Sequence, residues 1–272
     1  MFVSLSAYGG TDLHTSLNAL AEAGVRQVQL SVGVRPAANN MQVLQQFGFE
    51  YMVHSNFAMN ENQYRYDLVS SDTYLSEFER MFQFCNTLGI PGYSFHTGQY
   101  DSRHVQPAEA YATFVNNLKQ VLELAERYNV KLATETMYPS NNSTRWVLDN
   151  EPDILRFLAE DLPVGIVADA AHVKIGVTKG TMTKALLRTL LEHSKLTEIH
   201  LSDNDGLKDI HQALSMPSEW FLPLIRQYKS RAPLVYEGRM NGWTSAEVRE
   251  HLANVKEQLR GRLVGIQASQ SS

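Results

Sequence analysis

The segment IHLSDNDGLKDIHQAL, residues 199–214, closes a short apolar run. It gathers two histidines, His200 and His211, with three aspartates, Asp203, Asp205 and Asp209. Asp205-Gly206 suits a turn, since Asp bonds its own backbone and Gly tolerates left-handed conformations. A turn has no need of the imidazoles. Histidine and carboxylate are the side chains that ligate divalent cations and move protons near neutral pH. The rest of the chain supplies partners of the same kind. His54 ends EYMVH, His96 ends GYSFH, Glu135 ends VKLATE, Asp169 ends VGIVAD with His172 three residues on, and Glu237 ends APLVYE. One such histidine is more often a hydrogen-bonded structural residue, and one such carboxylate a helix cap or a solvated group. Five of the nine histidines, however, fall at or just after these run ends. Carboxylates gathered together repel one another and lose hydration, and a divalent cation resolves both costs. The pattern therefore predicts a metal centre built from His and carboxylate ligands.

The elements that must position these residues are short and β-rich. They span 2–7, 26–32, 50–55, 92–97, 130–136, 164–169, 196–202 and 232–238. Amphipathic stretches alternate with them. LHTSLNALAEAG places leucines at 13, 17 and 20 and ends in Gly24, a C-cap signal. AEAYATFVNNLKQVLELAERYN is the longest, and Thr244 with Glu247 has the spacing of a capping box. Eight strands alternating with helices over this length predict an α/β fold, a single (β/α)8 TIM barrel with parallel strands, over residues 1–265, followed by a polar tail at 266–272. A doubly wound open sheet is the alternative. It wants a Gly-rich fingerprint after the first strand, and AYGGTD is not G-x-G-x-x-G. In a parallel barrel all strand C-termini open on one face, where active sites of this architecture lie. His54, His96, Glu135, Asp169, His172, His200, Asp209, His211 and Glu237 would then converge on one mouth.

Composition narrows the classes of function. Of 272 residues, 43% are apolar and 19% charged, the balance of an ordinary globular chain. A net charge of −5 argues against avid nonspecific binding to nucleic acid or anionic membrane. No apolar run approaches a membrane span, and MFVSLSAYGG lacks the basic and apolar regions of a signal peptide, which points to the cytoplasm. The lone cysteine, Cys85, reads as a small buried apolar residue in a helix. His14, His193 and His251 lie in helical segments and read as surface residues, while His104, on the loop after the fourth strand, reads as lining the mouth. Phe57, Tyr64, Arg65 and Tyr66 read as a lid over a small polar substrate, more readily than as a nucleic-acid surface.

With these residues in place, the chain resembles the xylose-isomerase-like TIM-barrel superfamily, which includes sugar and sugar-phosphate isomerases and epimerases and the endonuclease IV family. The resemblance runs from VHSNF to VYEGR and rests on an ordered set: His, His before Thr-Gly, Glu, Asp-x-x-His, His, Asp-x-His, Glu. Likeness to the epimerases implies one divalent metal (Mn, Zn, Co or Mg) held by Glu135, Asp169, His200 and Glu237. It also implies proton transfer by Glu135 and Glu237 through a metal-stabilised enediolate, with His172 on a substrate oxygen. Substrate contacts are expected from Phe57, His104, Lys208 and Arg239, with a sugar, sugar phosphate or related polyol ketone as substrate and with a homodimer compatible with the exposed helices of a barrel. Likeness to endonuclease IV implies up to three metals, with His54, His96, His172, Asp209 and His211 as additional ligands and a phosphodiester as substrate. The chain departs from many relatives in having QALSMPSEW where they carry a GEG turn, and Lys208 is the nearest cation beyond His200 where epimerases place an arginine.

Overall fold

Strict alternation along each β-rich run decides which side chains enter the barrel. The computed structural model describes residues 1–32, 34–35, 39–55, 68–140, 142–214 and 219–261. Eight parallel strands close into a barrel: β1 (Phe2–Ser4), β2 (Gln27–Leu30), β3 (Glu50–His54), β4 (Gly92–Phe95), β6 (Lys131–Glu135), β8 (Gly165–Asp169), β9 (Leu196–Leu201) and β10 (Leu234–Tyr236). Around the barrel their order is β1-β10-β9-β8-β6-β4-β3-β2. Two further strands, β5 (Gln99–Asp101) and β7 (Thr144–Trp146), pair antiparallel outside it. The helices are α1 (Leu13–Glu22), α2 (Asn40–Phe47), α3 (Tyr74–Thr87), α4 (Pro107–Tyr128), α5 (Glu151–Ala159), α6 (Ala170–Lys179), α7 (Lys184–Glu192), α8 (Leu222–Tyr228) and α9 (Ser245–Arg260). Among the described residues no helix is long and apolar enough to cross a membrane. The tail at 266–272 lies outside the described residues.

All eight expected strands form, with shorter bounds. The first stops at Ser4 rather than at residue 7. Leu5–Tyr8 turn into a 3₁₀ helix because the Ser6 amide is captured by Ser31 Oγ at 2.7 Å and by Ser4 Oγ. Helix signals also hold. Asp12 Oδ1 accepts from the Thr15 amide at the start of α1, Gly24 takes φ +82° just past its end, and Thr244 and Glu247 form the reciprocal capping box of α9. Cys85 is buried in α3. His14 is exposed, but His193 and His251 are only partly so. His251 Nε2 lies 2.6 Å from Tyr236 Oη, because α9 packs its ring beside the last strand instead of turning it to water. The β5–β7 pair was not anticipated. Each strand is only three residues long and carries no repeated alternation.

The apolar core lies mainly between strands and helices. Phe78 and Phe82 of α3 meet Tyr93 of β4 edge-on at 5.7 and 6.1 Å, and Phe114 of α4 meets Phe157 of α5 at 5.6 Å. The inward positions are different. Gln29 of β2, Ser94 of β4 and Glu198 of β9 are buried, and the first two both reach Glu198, although these strands are not neighbours in the sheet. Their contacts therefore span the barrel interior. One pleat further along each strand, period two returns the same face as His200 on β9 and His96 just past β4.

Glu237 follows β10 directly and is held where two pieces of backbone crowd together. A Cβ added at Gly238 would stand 2.3 Å from Tyr236 Oη and 2.9 Å from Ala213 Cα. The adjacent Arg239 amide donates to the His211 carbonyl at 2.7 Å. Glycine lets the end of β10 dock against the loop that carries His211. Gly238→Ala is expected to lower stability by about 1–3 kcal/mol through overpacking, read from urea denaturation midpoints, and an unchanged midpoint would remove this role from the glycine.

Candidate metal and catalytic site

The site is assembled from strand ends. Glu135 is the last residue of β6, Asp169 of β8 and His54 of β3, while His96 and Glu237 follow β4 and β10 by one residue. His200 precedes the last residue of β9. Asp169 has two tasks. Its Oδ1 caps α6 by accepting the His172 amide at 2.7 Å, which leaves Oδ2 for other chemistry. The same cap sets His172 on the first turn of α6. Asp209 and His211 arrive on the long loop after β9, pinned where Asp203 and Gln212 exchange backbone hydrogen bonds at 2.7 and 2.8 Å. All nine residues of the expected ligand set come together in one mouth.

Glu135 is the centre of the arrangement. His54 Nε2 and His96 Nε2 stand 3.1 and 3.2 Å from its Oε2, and His172 Nδ1 and His200 Nδ1 stand 3.2 and 3.7 Å from its Oε1. His200 Nδ1 is also 3.4 Å from Glu237 Oε2. On the loop side, Asp209 Oδ2 lies 3.4 Å from His172 Nε2 and 3.0 Å from His211 Nε2. Three groups of ligand atoms each fall within 4.8 Å of one another: His54 with His96 and Glu135, Glu135 with Asp169 and His172, and Asp169 with His200 and Glu237. His172 Nδ1 lies 3.2 Å from Glu135 and 4.0 Å from Asp169, yet it donates to the Thr136 carbonyl at 2.8 Å. The tautomer this bond fixes leaves Nε2, facing Asp209, as the nitrogen of His172 that is free to accept.

Several of these atoms approach closely without hydrogen-bond alignment. Glu135 Oε2, His172 Nε2, His200 Nδ1, Asp209 Oδ1 and His211 Nδ1 are buried and have no hydrogen-bond partner among the described residues. Buried polar atoms left this way cost free energy unless something satisfies them. Lone pairs that face a common point rather than each other fit a divalent cation, and the donor set, imidazole and carboxylate, is that of zinc or manganese.

Without a cation, protons carry the balance. Burial opposes ionisation of Glu135, yet His172, with His200, His54 and His96, holds its carboxyl well below the usual range. Burial likewise works against Glu237, but His200 and His211 hold it down at about 2. Asp169 goes the other way. Burial, with Glu135 and Glu237 adding, pushes it up to about 7. Burial disfavours charge on His172, His200 and His211, but facing carboxylates override it: Asp169 and Asp209 for His172, Glu237 and Glu135 for His200, and Asp209 for His211, which rises to about 9. His54 is pushed down by burial.

Above this floor opens a cavity of about 220 Å³, whose walls include Ser6, Ser31, Met137, Tyr138 and Trp146. Tyr138 lies against His172 with ring centroids 4.7 Å apart, and Trp146 meets His96 edge-on at 5.4 Å. Sequence reasoning missed these two aromatics, because Trp146 reaches the mouth only through the unanticipated β5–β7 pair. It also missed Ser6, whose Oγ lies 3.4 Å from Glu237 Oε1. Three expected substrate contacts are not brought to the cavity. His104 is exposed on a turn closed by its amide bond to the Asp101 carbonyl; Lys208 is exposed, its amide held by Asp205 Oδ1; and Arg239 is exposed one residue beyond Gly238. Phe57, Tyr64, Arg65 and Tyr66 lie outside the described residues.

Comparison with known proteins agrees with this fold. The sequence profile described as xylose isomerase-like TIM barrel matches residues 17–259. No curated protein matches the sequence. Among solved structures, a D-tagatose 3-epimerase-like protein superposes with a TM-score of 0.72 at 16% identity, covering 95% of this chain and 98% of that one. The 3-keto-D-glucoside 4-epimerase of E. coli gives 0.67 at 15% identity, covering 93% and 97%. The IolI protein, solved with a zinc atom bound, gives 0.64 at 14% identity, covering 95% and 96%.

If the converging lone pairs hold a cation, its removal should cost stability. Zinc or manganese at a hundredfold its Kd is expected to stabilise the fold by about 2.7 kcal/mol, seen as a rise in melting temperature that chelator reverses. A melting temperature indifferent to both metals and to chelator would contradict the metal centre.

Proposed function

This chain belongs to the family of xylose isomerase-like TIM barrels, and from that premise we propose that it is a divalent-metal-dependent isomerase or epimerase of a sugar or related polyol ketone. The observation that carries the reading is the pair of buried glutamates, Glu135 from β6 and Glu237 from β10, facing one another across His200 beneath a cavity of about 220 Å³. The names of similar structures, epimerases of tagatose-like and keto-glucoside substrates, support the substrate class.

Glu135, Asp169, His200 and Glu237 would hold the metal. When bound, it supplies Lewis-acid stabilisation of negative charge on substrate oxygens. The chain's own residues do the rest. One of the two glutamates, as carboxylate, removes the proton beside the substrate carbonyl, and the other, as carboxylic acid, delivers its own proton to the opposite face or to the neighbouring carbon. The imidazoles around them favour the ionised form of both, the state the proton-removing glutamate needs, so the donating glutamate takes up a proton from solvent before its step. Ser6 Oγ, beside Glu237 Oε1, orients that carboxylate. His172 presents Nε2 to a substrate hydroxyl, since its Nδ1 is committed to Thr136. Tyr138 and Trp146 offer aromatic faces to the apolar side of a sugar ring. None of the described residues lining the cavity is Lys or Arg, which favours a neutral sugar over a phosphorylated one.

A second reading has its own observation. His54, His96, His172, Asp209 and His211 crowd the same mouth, more ligands than one ion uses. That set supports a multinuclear phosphodiesterase of endonuclease IV type, in which His54, His96, His172, Asp209 and His211 would hold additional ions that would supply Lewis-acid stabilisation of charge on a phosphodiester.

Glu135→Gln and Glu237→Gln are each expected to lower kcat by at least about 100-fold, with solvent deuterium entering the substrate carbon in the wild-type reaction. Full activity in both variants would sink the two-base scheme, and turnover without deuterium incorporation would point to hydride shift. The two readings separate on metal content and His211→Ala. About one equivalent of metal per chain, unchanged in His211→Ala, supports the isomerase. Two or three equivalents, reduced in the variant, support the phosphodiesterase.

A further inference from the structure

Glu198 lies one pleat below His200 on β9, buried inside the barrel, and the scheme above gives it no task. Its Oε2 gathers three donors. Gln29 Nε2 reaches it at 2.9 Å, His200 Nε2 at 3.1 Å and Ser94 Oγ at 3.2 Å. A carboxylate this deep is costly unless its hydrogen bonds accomplish something.

The network fixes where protons sit on two imidazoles. His200 Nε2 stands 3.1 Å from both Glu198 Oε2 and the Gln29 amide nitrogen; the amide already donates to Glu198 at 2.9 Å, and a bare Nε2 would set its lone pair against the carboxylate, the stronger of the two conflicts in a buried space, so the proton belongs on Nε2 and is donated to Glu198. His200 is then left with Nδ1 facing Glu135 and Glu237. Ser94 carries the same influence to a second ring. Its hydroxyl donates to Glu198, with the Val53 carbonyl more distant at 3.4 Å, so its oxygen accepts from His54 Nδ1 at 3.0 Å. His54 is left with Nε2 facing Glu135 Oε2 at 3.1 Å and His96 Nε2 at 3.2 Å, where a cation shared by these atoms would relieve the lone-pair conflict that nothing relieves beside Glu198. The free nitrogens of both histidines thus turn toward the two oxygens of Glu135.

We infer that Glu198 is a positioning residue: through His200 directly and through Ser94 to His54, one buried carboxylate oxygen sets the tautomer and ring orientation of two metal ligands from below the site. This inference rests on the metal-binding reading of the site. Outer partners that orient ligating histidines alter metal affinity by about 10–100-fold when removed. Glu198 touches neither the cavity nor the reacting atoms, so its effect appears in binding and in proton placement.

The test measures zinc and manganese dissociation constants, by competition with a chromophoric chelator, for the wild-type protein, Glu198→Leu and Glu198→Gln. Leu removes the acceptor and is expected to weaken binding by about 10–100-fold. Gln retains one acceptor oxygen and is expected to restore most of the affinity, which a packing role alone would not require. Long-range ¹H–¹⁵N spectra of the zinc-loaded wild-type protein are expected to place the His200 proton on Nε2 and the His54 proton on Nδ1. Wild-type affinity in Glu198→Leu overturns the inference, as do the opposite tautomers. Should Glu198→Leu fail to fold, the tautomers decide. A wild-type protein that binds neither metal overturns the metal reading itself, a different result from a wild-type protein that binds metal regardless of Glu198.

Discussion

The constraint on which this structure turns is the burial of negative charge at the centre of a barrel. Glu135, Asp169, Glu198 and Glu237 are each at most 4% exposed and lie within one network. Taking ionised carboxylates out of water costs several kcal/mol each even after relaxation, and mutual repulsion adds to it. The fold answers with imidazoles. Each carboxylate except Asp169 has a histidine ring nitrogen within 3.5 Å, and Asp169 is the one whose carboxyl is pushed up toward neutrality. Imidazolium and a divalent cation are alternative solutions to the same charge problem. A histidine nitrogen that carries a proton cannot ligate, so the two compete, and cation uptake at this site must release protons.

That constraint shapes the barrel beneath. Interiors of this architecture are commonly filled by layers of branched aliphatic side chains. Here the layer below the ligands holds Gln29, Ser94 and Glu198. These residues direct the rings above them, and the stabilising apolar mass is moved outward, between strands and helices. Tyr93 and Phe95 of β4 pack against α3 while Ser94, between them, points inward. A single strand thus divides its labour by period two, outward for cohesion and inward for chemistry.

The same periodicity explains what could be read from the sequence. The strand ends were legible because β-rich runs alternate with amphipathic stretches, and the convergence of His and carboxylate because its members end those runs or follow them on the next turn or loop. Glu198 and Gln29 were not, since an inward polar residue within a strand looks the same in sequence as a solvated one on an edge. Trp146 was hidden for another reason: its place depends on a three-residue antiparallel pairing with Gln99–Asp101, a contact made far along the chain with no local signature. His104, Lys208 and Arg239 sat near the ligands in sequence, but turn geometry faces them outward. Proximity along a loop does not set the direction of a side chain.

The loop after β9 adds a last consideration. His211 adopts φ +48°, a conformation few non-glycine residues take, and Ser55, next to His54, adopts φ +53°. Such positions cost about 1–3 kcal/mol and persist only where the surroundings enforce them. For His211 the surroundings are explicit. The Arg239 amide holds its carbonyl, Gln212 is tied to Asp203, and Gly238 admits the close passage of β10. The effect is to turn the ring inward, where Nε2 meets Asp209 at 3.0 Å. A loop that merely connected β9 to α8 would relax this residue. Either proposed reading has a use for this conformation, which would present His211 as a metal ligand in a multinuclear centre or, in a mononuclear one, as the partner that keeps Asp209 beside His172.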